Sequence, residues 1–213
     1  MTLNSNTPPD ALLLIANGCP QCPTVLQGLG DLIKAGRIGR LEVVNITQRP
    51  EVAQTLGVRG VPWLRLGPFE LTGLRSPAEL AQWVERAASA TGLAEYVSEL
   101  LTAGDLAGVR TTLQRAPQTA AALVQLLVDP QAELQVRLGV AAILEDLAGS
   151  ALLAGQIDAL GALTRHDDAR IRLDACHALG LSHNAAARPY LEALRGDIDA
   201  DVREEAEDSL AAL

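Results

Sequence analysis

The 213 residues carry 48% hydrophobic side chains and a formal net charge of −9, enough apolar material for one sizeable core or two small ones. No apolar run nears the 18 residues of a membrane span, and the stretch before "ALLLIA" (11–16) lacks the positive n-region of a secretory signal. A cytoplasmic setting is therefore expected, without membrane contact; cysteine pairs there are more often catalytic or metal-binding than structural. The charge is uneven, with 8 Lys/Arg against 7 Asp/Glu up to residue 89 and 9 against 19 beyond it, which argues against binding nucleic acid phosphates.

Residues 1–10 read as a flexible N-terminus. "ALLLIA" then has the pattern of a buried strand, ended by Asn17-Gly18. Val25, Leu26, Leu29, Leu32 and Ile33 recur at helical spacing until Gly36. "LEVVNI" (41–46) is a second strand, and "RPEVAQTLG" (49–57) a short helix opened by Pro50 and closed by Gly57. "PWLRL" (62–66) and "FELTG" (69–73), separated by Gly67-Pro68, predict a hairpin. In "SPAE" Ser76 is the expected N-cap, Pro77 the first helical residue and Glu79 the capping-box partner. Leu80, Trp83, Val84 and Ala87 share one face of the helix that follows. The order is β-α-β-α-β-β-α, over 11–89.

Cys19 stands where the first strand gives way to the first helix. With Cys19 as N-cap and Pro20 as the first helical residue, the amides of Gln21 and Cys22 point at its sulfur. The unpaired amides and the helix dipole favour a thiolate there, lowering the pKa and making Cys19 nucleophilic. Cys22, one turn further in, is expected to be less exposed and better placed to resolve a mixed disulfide. Pro23 then falls at the end of the first turn, with the loss of one helical hydrogen bond. Two other readings stand beside redox chemistry. A zinc site needs four ligands as a rule, and the remaining candidates, Cys176, His166, His177 and His183, all lie in the other half of the chain. An inert dithiol is the third reading.

About forty residues downstream, "GVRGVPW" (57–63) places a proline at the start of a strand, where its missing N–H is tolerated and its peptide bond can be cis. "CPQC" opening the first helix of this β/α order, followed by Gly-Val-Pro before the hairpin, resembles the thioredoxin/glutaredoxin superfamily. The longer pattern "CPQCPTVLQGL…GVRGVPW" is similar to the thioredoxin-like domains of archaeal protein disulfide oxidoreductases. It is also similar to the N-terminal redox domain of the flavoprotein reductase that serves peroxiredoxins. The resemblance covers roughly 11–88. It implies that Cys19 is the attacking and Cys22 the resolving thiol. It also implies that Gly60, Val61 and Pro62 form a cis-proline loop whose Val61 backbone pairs with a bound peptide. No cofactor or metal is implied, only an external thiol reductase or acceptor.

The second half, 93–213, is Ala/Leu-rich and repeats itself. "VRLGVAAIL" (136–144), "IRLDACHAL" (171–179) and "VREEAEDSL" (202–210) each open on Val or Ile followed by Arg, with apolar residues four apart. Acids precede two of them, Asp167-Asp168 and Asp199 with Asp201; Asp129-Pro130 lies further upstream of the first. "LLAGQIDALGAL" (152–163) and "AARPYLEAL" (186–194) read as partner helices, and segments at 93–103, 105–115 and 117–128 as a degenerate capping repeat. Over 129–213 the pattern resembles HEAT repeats, whose helix pairs must stack to bury their apolar faces. Arg137, Arg172 and Arg203 are expected to bond preceding Asp side chains or helix-end carbonyls; contact with a partner is the other reading. Cys176 reads as a small buried hydrophobe, or alternatively as a third redox thiol. The whole predicts a multidomain α/β plus all-α protein, a thioredoxin-like domain followed by a HEAT-like α-solenoid.

Two functions follow. One is a cytoplasmic thiol–disulfide oxidoreductase whose acidic repeat module docks or selects a protein substrate. The other is a HEAT-repeat adaptor whose thioredoxin-like domain is a docking or redox-sensing attachment.

Overall fold

The computed structural model describes residues 7–89 and 91–213; part of the N-terminal segment read as flexible, 1–6, lies outside them. The chain divides after Leu93 into two compact units.

The first unit contains β1 (Ala11–Ile15), α1 (Cys22–Lys34), β2 (Leu41–Asn45), α2 (Pro50–Leu56), β3 (Trp63–Leu66), β4 (Phe69–Thr72) and α3 (Pro77–Ala88). The strands form one mixed sheet in the order β2-β1-β3-β4. β1 runs parallel to β2 and antiparallel to β3, with Leu14 opposite Trp63. Leu13, Leu64, Leu66 and Leu71 of the sheet pack with Val25, Leu29 and Leu32 of α1 and Leu80 and Val84 of α3. The punctuation works as the sequence implies. Gly57, at φ +67°, ends α2 in the left-handed region that glycine enters freely. The Ser76 hydroxyl accepts from the Glu79 N–H (3.3 Å) while the Glu79 carboxylate accepts from the Ser76 N–H (2.7 Å), completing the capping box.

The start of α1 differs from expectation. Its first residue is Cys22 and its N-cap is Gln21, two positions later than a helix begun by Pro20. Pro23 therefore occupies the second helical position, where an N–H has no intrahelical acceptor and none is forfeited. Pro23, rather than Pro20, is the proline preorganised for this helix.

The second unit is entirely helical among its described residues. It comprises α4 (Gly92–Thr102), whose first two residues precede the boundary, then α5 (Leu106–Arg115), α6 (Thr119–Leu127), α7 (Leu134–Asp146), α8 (Ala151–Ala154) and α9 (Ile157–Leu163). Then follow α10 (Ala169–Leu181), a 3-10 turn (Ala185–Ala187), α11 (Arg188–Leu194) and α12 (Ala200–Ala211). The segment 152–163, expected as one helix, is two: Gly155 is the C-cap of α8 and Gln156 the N-cap of α9, because a glycine there holds an interior turn poorly. In 186–194 the helix proper starts at Arg188, with Pro189 in its first turn. α10 is the hub, packing against α7, α9, α11 and α12.

Close helix contact relies on small residues. A Cβ on Gly180 of α10 would stand 2.8 Å from Ser209 Cβ and 3.2 Å from its Cα. Gly180→Ala is expected to destabilise the unit by about 1–3 kcal/mol through overpacking. Gly30→Ala, in α1 with nothing within 4 Å of the added carbon, should stabilise by about 0.5–1 kcal/mol. Urea denaturation of both variants checks the contrast; equal effects would refute it.

Candidate redox site

The site begins where β1, one of the two inner strands of the sheet, runs out. Gly18 takes φ +72°, a value glycine adopts without strain, and the chain turns so that the Cys19 N–H donates to the Ala16 carbonyl (3.3 Å). Cys19 and Cys22 are joined as a disulfide with Cα atoms 5.5 Å apart, inside the range such a bond spans. The Cys22 N–H donates to Cys19 Sγ at 3.2 Å; Gln21 contributes instead its carbonyl, which accepts from the Val25 N–H (3.5 Å). Cys19 is half-buried and Cys22 buried at 4% exposure, so a reactant from solvent meets Cys19 first.

The Val61–Pro62 bond is cis, Pro62 is buried and Val61 half-buried, and Gly60 is exposed. Because Leu14 lies opposite Trp63, the chain leaving β1 and the chain entering β3 do so at the same end of the sheet. The Pro62 carbonyl accepts from the Gly73 N–H (2.9 Å), tying this loop to the end of β4.

A third element was not legible in the motif. The Asn17 N–H donates to Thr47 Oγ1 (3.0 Å), Asn45 Nδ2 donates to Asn17 Oδ1 (2.8 Å), and the Thr47 N–H donates to Asn45 Oδ1 (3.0 Å). These bonds latch the loop before Cys19 to the end of β2. Only the turn propensity of Asn17-Gly18 hinted at it; nothing in the spacing points to Asn45, 28 residues on. Asn45→Ala is expected to slow disulfide turnover several-fold with less than about 1 kcal/mol lost from stability, since the bonds are exposed. Unchanged turnover would show that the latch positions nothing.

The remaining candidates lie in the second unit. Arg172 donates from Nη1 to the carbonyls of His166 (2.9 Å) and Asp167 (3.0 Å), and grips the Asp197 carboxylate with Nε (2.8 Å) and Nη2 (2.7 Å). Arg203 Nη1 donates to the Asp197 carbonyl (2.7 Å). Arg172 thus takes its carboxylate from the turn that follows it. The preceding Asp168 and Asp199 serve as N-caps. Arg137 is exposed and, among the described residues, has no counterpart of these bonds.

Cys176 is fully buried in α10, and burial pushes its thiol up to about 12. After reduction, the folded protein should therefore show two rapidly titrating thiols at pH 8 and the urea-unfolded chain three. Three fast thiols in the folded state would contradict this. Among the described residues no group of three or more His, Cys, Asp and Glu side chains stands ready to hold a metal ion, and no helix is long and apolar enough to cross a membrane.

No curated protein matches the chain. Residues 12–85 match the family described as a thioredoxin domain; that stretch holds both cysteines and the cis proline, and with its CxxC-spaced pair this domain supports a thiol redox function.

Proposed function

We propose that the protein is a thiol–disulfide oxidoreductase of the cytoplasm, with Cys19 as nucleophile and Cys22 as resolving thiol. The Cys19 thiolate attacks one sulfur of a substrate disulfide, forming a mixed disulfide and releasing the other substrate sulfur as a thiolate. Cys22 then attacks Cys19 Sγ, closing the Cys19–Cys22 bond and releasing the second substrate thiol, so two electrons pass to the substrate. An external thiol reductase restores the dithiol; run backwards, the same steps oxidise a substrate dithiol. The observation that carries this reading is the half-buried Cys19 sulfur accepting an amide N–H at the start of α1, in front of a buried partner sulfur. Gly60, Val61 and Pro62 are assigned to substrate backbone binding, on their place at the same end of the sheet.

In this reading residues 11–89 are the redox domain and 93–213 a HEAT-like solenoid that docks the protein substrate. The recurrence of the arginine-to-carbonyl bond at Arg172 and Arg203 supports the repeat. A second reading, an adaptor whose redox domain is only an attachment, is favoured by Leu134 and Leu138, which stand 66% and 62% exposed on α7. Trapping separates the two. Cys22→Ser should capture partners through a reducible disulfide if the protein is an enzyme. Partners held without a covalent bond, and equally well by the Cys19→Ser, Cys22→Ser double variant, would make it an adaptor.

A further inference from the structure

The two turns preceding α10 and α12 are built alike. In one, His166 Nδ1 accepts from the Asp168 N–H (3.0 Å) and Asp168 Oδ1 from the Arg170 N–H (2.9 Å). In the other, Asp197 Oδ1 accepts from the Asp199 N–H (2.9 Å) and Asp199 Oδ1 from the Asp201 N–H (3.0 Å). The carbonyls of His166 and Asp197 likewise each accept from the arginine six residues on. His166 is therefore the counterpart of Asp197, and Arg137, one repeat before Arg172, is the arginine that should grip it.

It cannot. An imidazole accepting at Nδ1 carries its proton on Nε2, so it offers Arg137 a donor where Asp197 offers Arg172 a carboxylate. Two of the neighbouring acids are paired with another arginine, and the third accepts a backbone N–H. Asp174 and Asp168 pair with Arg170 (3.2 and 3.7 Å), and Asp129 accepts from the Gln131 N–H (2.9 Å). Arg137 reaches Asp174 only through space; among the described residues it has no ion-pair partner. It lies between two hollows. One, toward the His166 turn, is also lined by Asp129, His166 and Ile171. The other is a groove along α6, α7 and α10, lined by Leu126, Leu127, Leu134, Leu138 and Leu144 and, from α10, by the Arg170–Asp174 pair and His177. Leu134, Leu138 and Ala141 follow one another at helical spacing on its exposed side.

We propose that this groove binds a peptide segment of a partner protein that carries an aspartate or glutamate between apolar side chains. The carboxylate takes, on Arg137, the place that Asp197 takes on Arg172, and the apolar side chains cover Leu134 and Leu138. The inference rests on the docking role given above to the helical unit and states what the partner must present.

The test uses the full-length Cys19→Ser, Cys22→Ser chain, so that disulfide exchange plays no part. Its probe is a pool of dye-labelled, end-capped 12-residue peptides with two leucines four apart and a glutamate between them. An otherwise identical pool carries glutamine instead. The glutamate pool should bind about tenfold more tightly. R137Q should abolish that preference, and L138S should weaken both pools. H166D supplies the missing carboxylate internally, so it should raise the melting temperature by about 2–4 °C and lower affinity for the glutamate pool. R137Q alone should leave the melting temperature unchanged. Absence of binding, equal binding of both pools, or a preference surviving in R137Q overturns the proposal. So does a dimer that L138S dissociates, since a second copy would then be the occupant. Substrate capture by Cys22→Ser that R137Q leaves intact would overturn this site while leaving the docking role standing.

Discussion

Replacing Cys19 by serine is expected to reduce insulin disulfide turnover to the uncatalysed rate, whereas Cys22→Ser should stall after a single attack. A serine hydroxyl is not ionised at neutral pH, and the ionised sulfur is what attacks a disulfide. Cys19 is the more open of the two sulfurs and the one that accepts the Cys22 N–H. With Cys22 replaced, Cys19 can still form a mixed disulfide but nothing displaces the substrate, so the adduct should persist until a small thiol is added. Intact-mass measurement of each variant after exposure to insulin reads this directly. Near-normal turnover by Cys19→Ser, or an adduct on Cys22 in place of Cys19, would refute the assigned roles.

The largest loss of stability is expected at Arg172. Arg172 and Asp197 are both about 8% exposed, and their bidentate pair is reinforced by two carbonyls. Arg172→Ala leaves a buried carboxylate without its counter-charge, the costly way to break such a pair. A fall of roughly 10 °C in the melting temperature of the helical unit is expected; the exposed Arg188→Ala should change it by no more than about 1–2 °C. The pair also sets an acid limit. The Arg172 guanidinium, by hydrogen bonding, holds the Asp197 carboxyl below its ordinary value. A carboxyl depressed in the folded state contributes its full stability above the unfolded value near about 3.9. That contribution disappears as the pH falls through the lower, folded value. Acid unfolding should therefore be shallower in Arg172→Ala than in the parent chain; parallel curves would contradict the assignment.

Much of the first unit was legible because its punctuation is local. Pro50, Gly57, Ser76 and Glu79 act within a few residues of themselves, so their effects could be read without the fold. The start of α1 was misjudged because Pro20 and Pro23 are equally suited to a first turn, and the choice between them depends on how the chain leaves β1. The Asn17–Asn45–Thr47 latch was invisible because it joins residues that only the parallel pairing of β1 and β2 brings together. In the helical unit the recurring arginines could be picked out by spacing. That Arg172 bonds a later aspartate while Arg137 bonds none depends on a single residue, His166, whose equivalence to Asp197 emerges only from the matching hydrogen bonds of the two turns.

The latch has a mechanical side. Among the described strands β2 borders the sheet and pairs on one side only, the kind of edge on which another chain can lay a strand of its own. Its last residue, Asn45, grips the loop that leads to Cys19. A strand laid along that border would end beside Asn45, whose hydrogen-bond partner Asn17 stands two residues before Cys19.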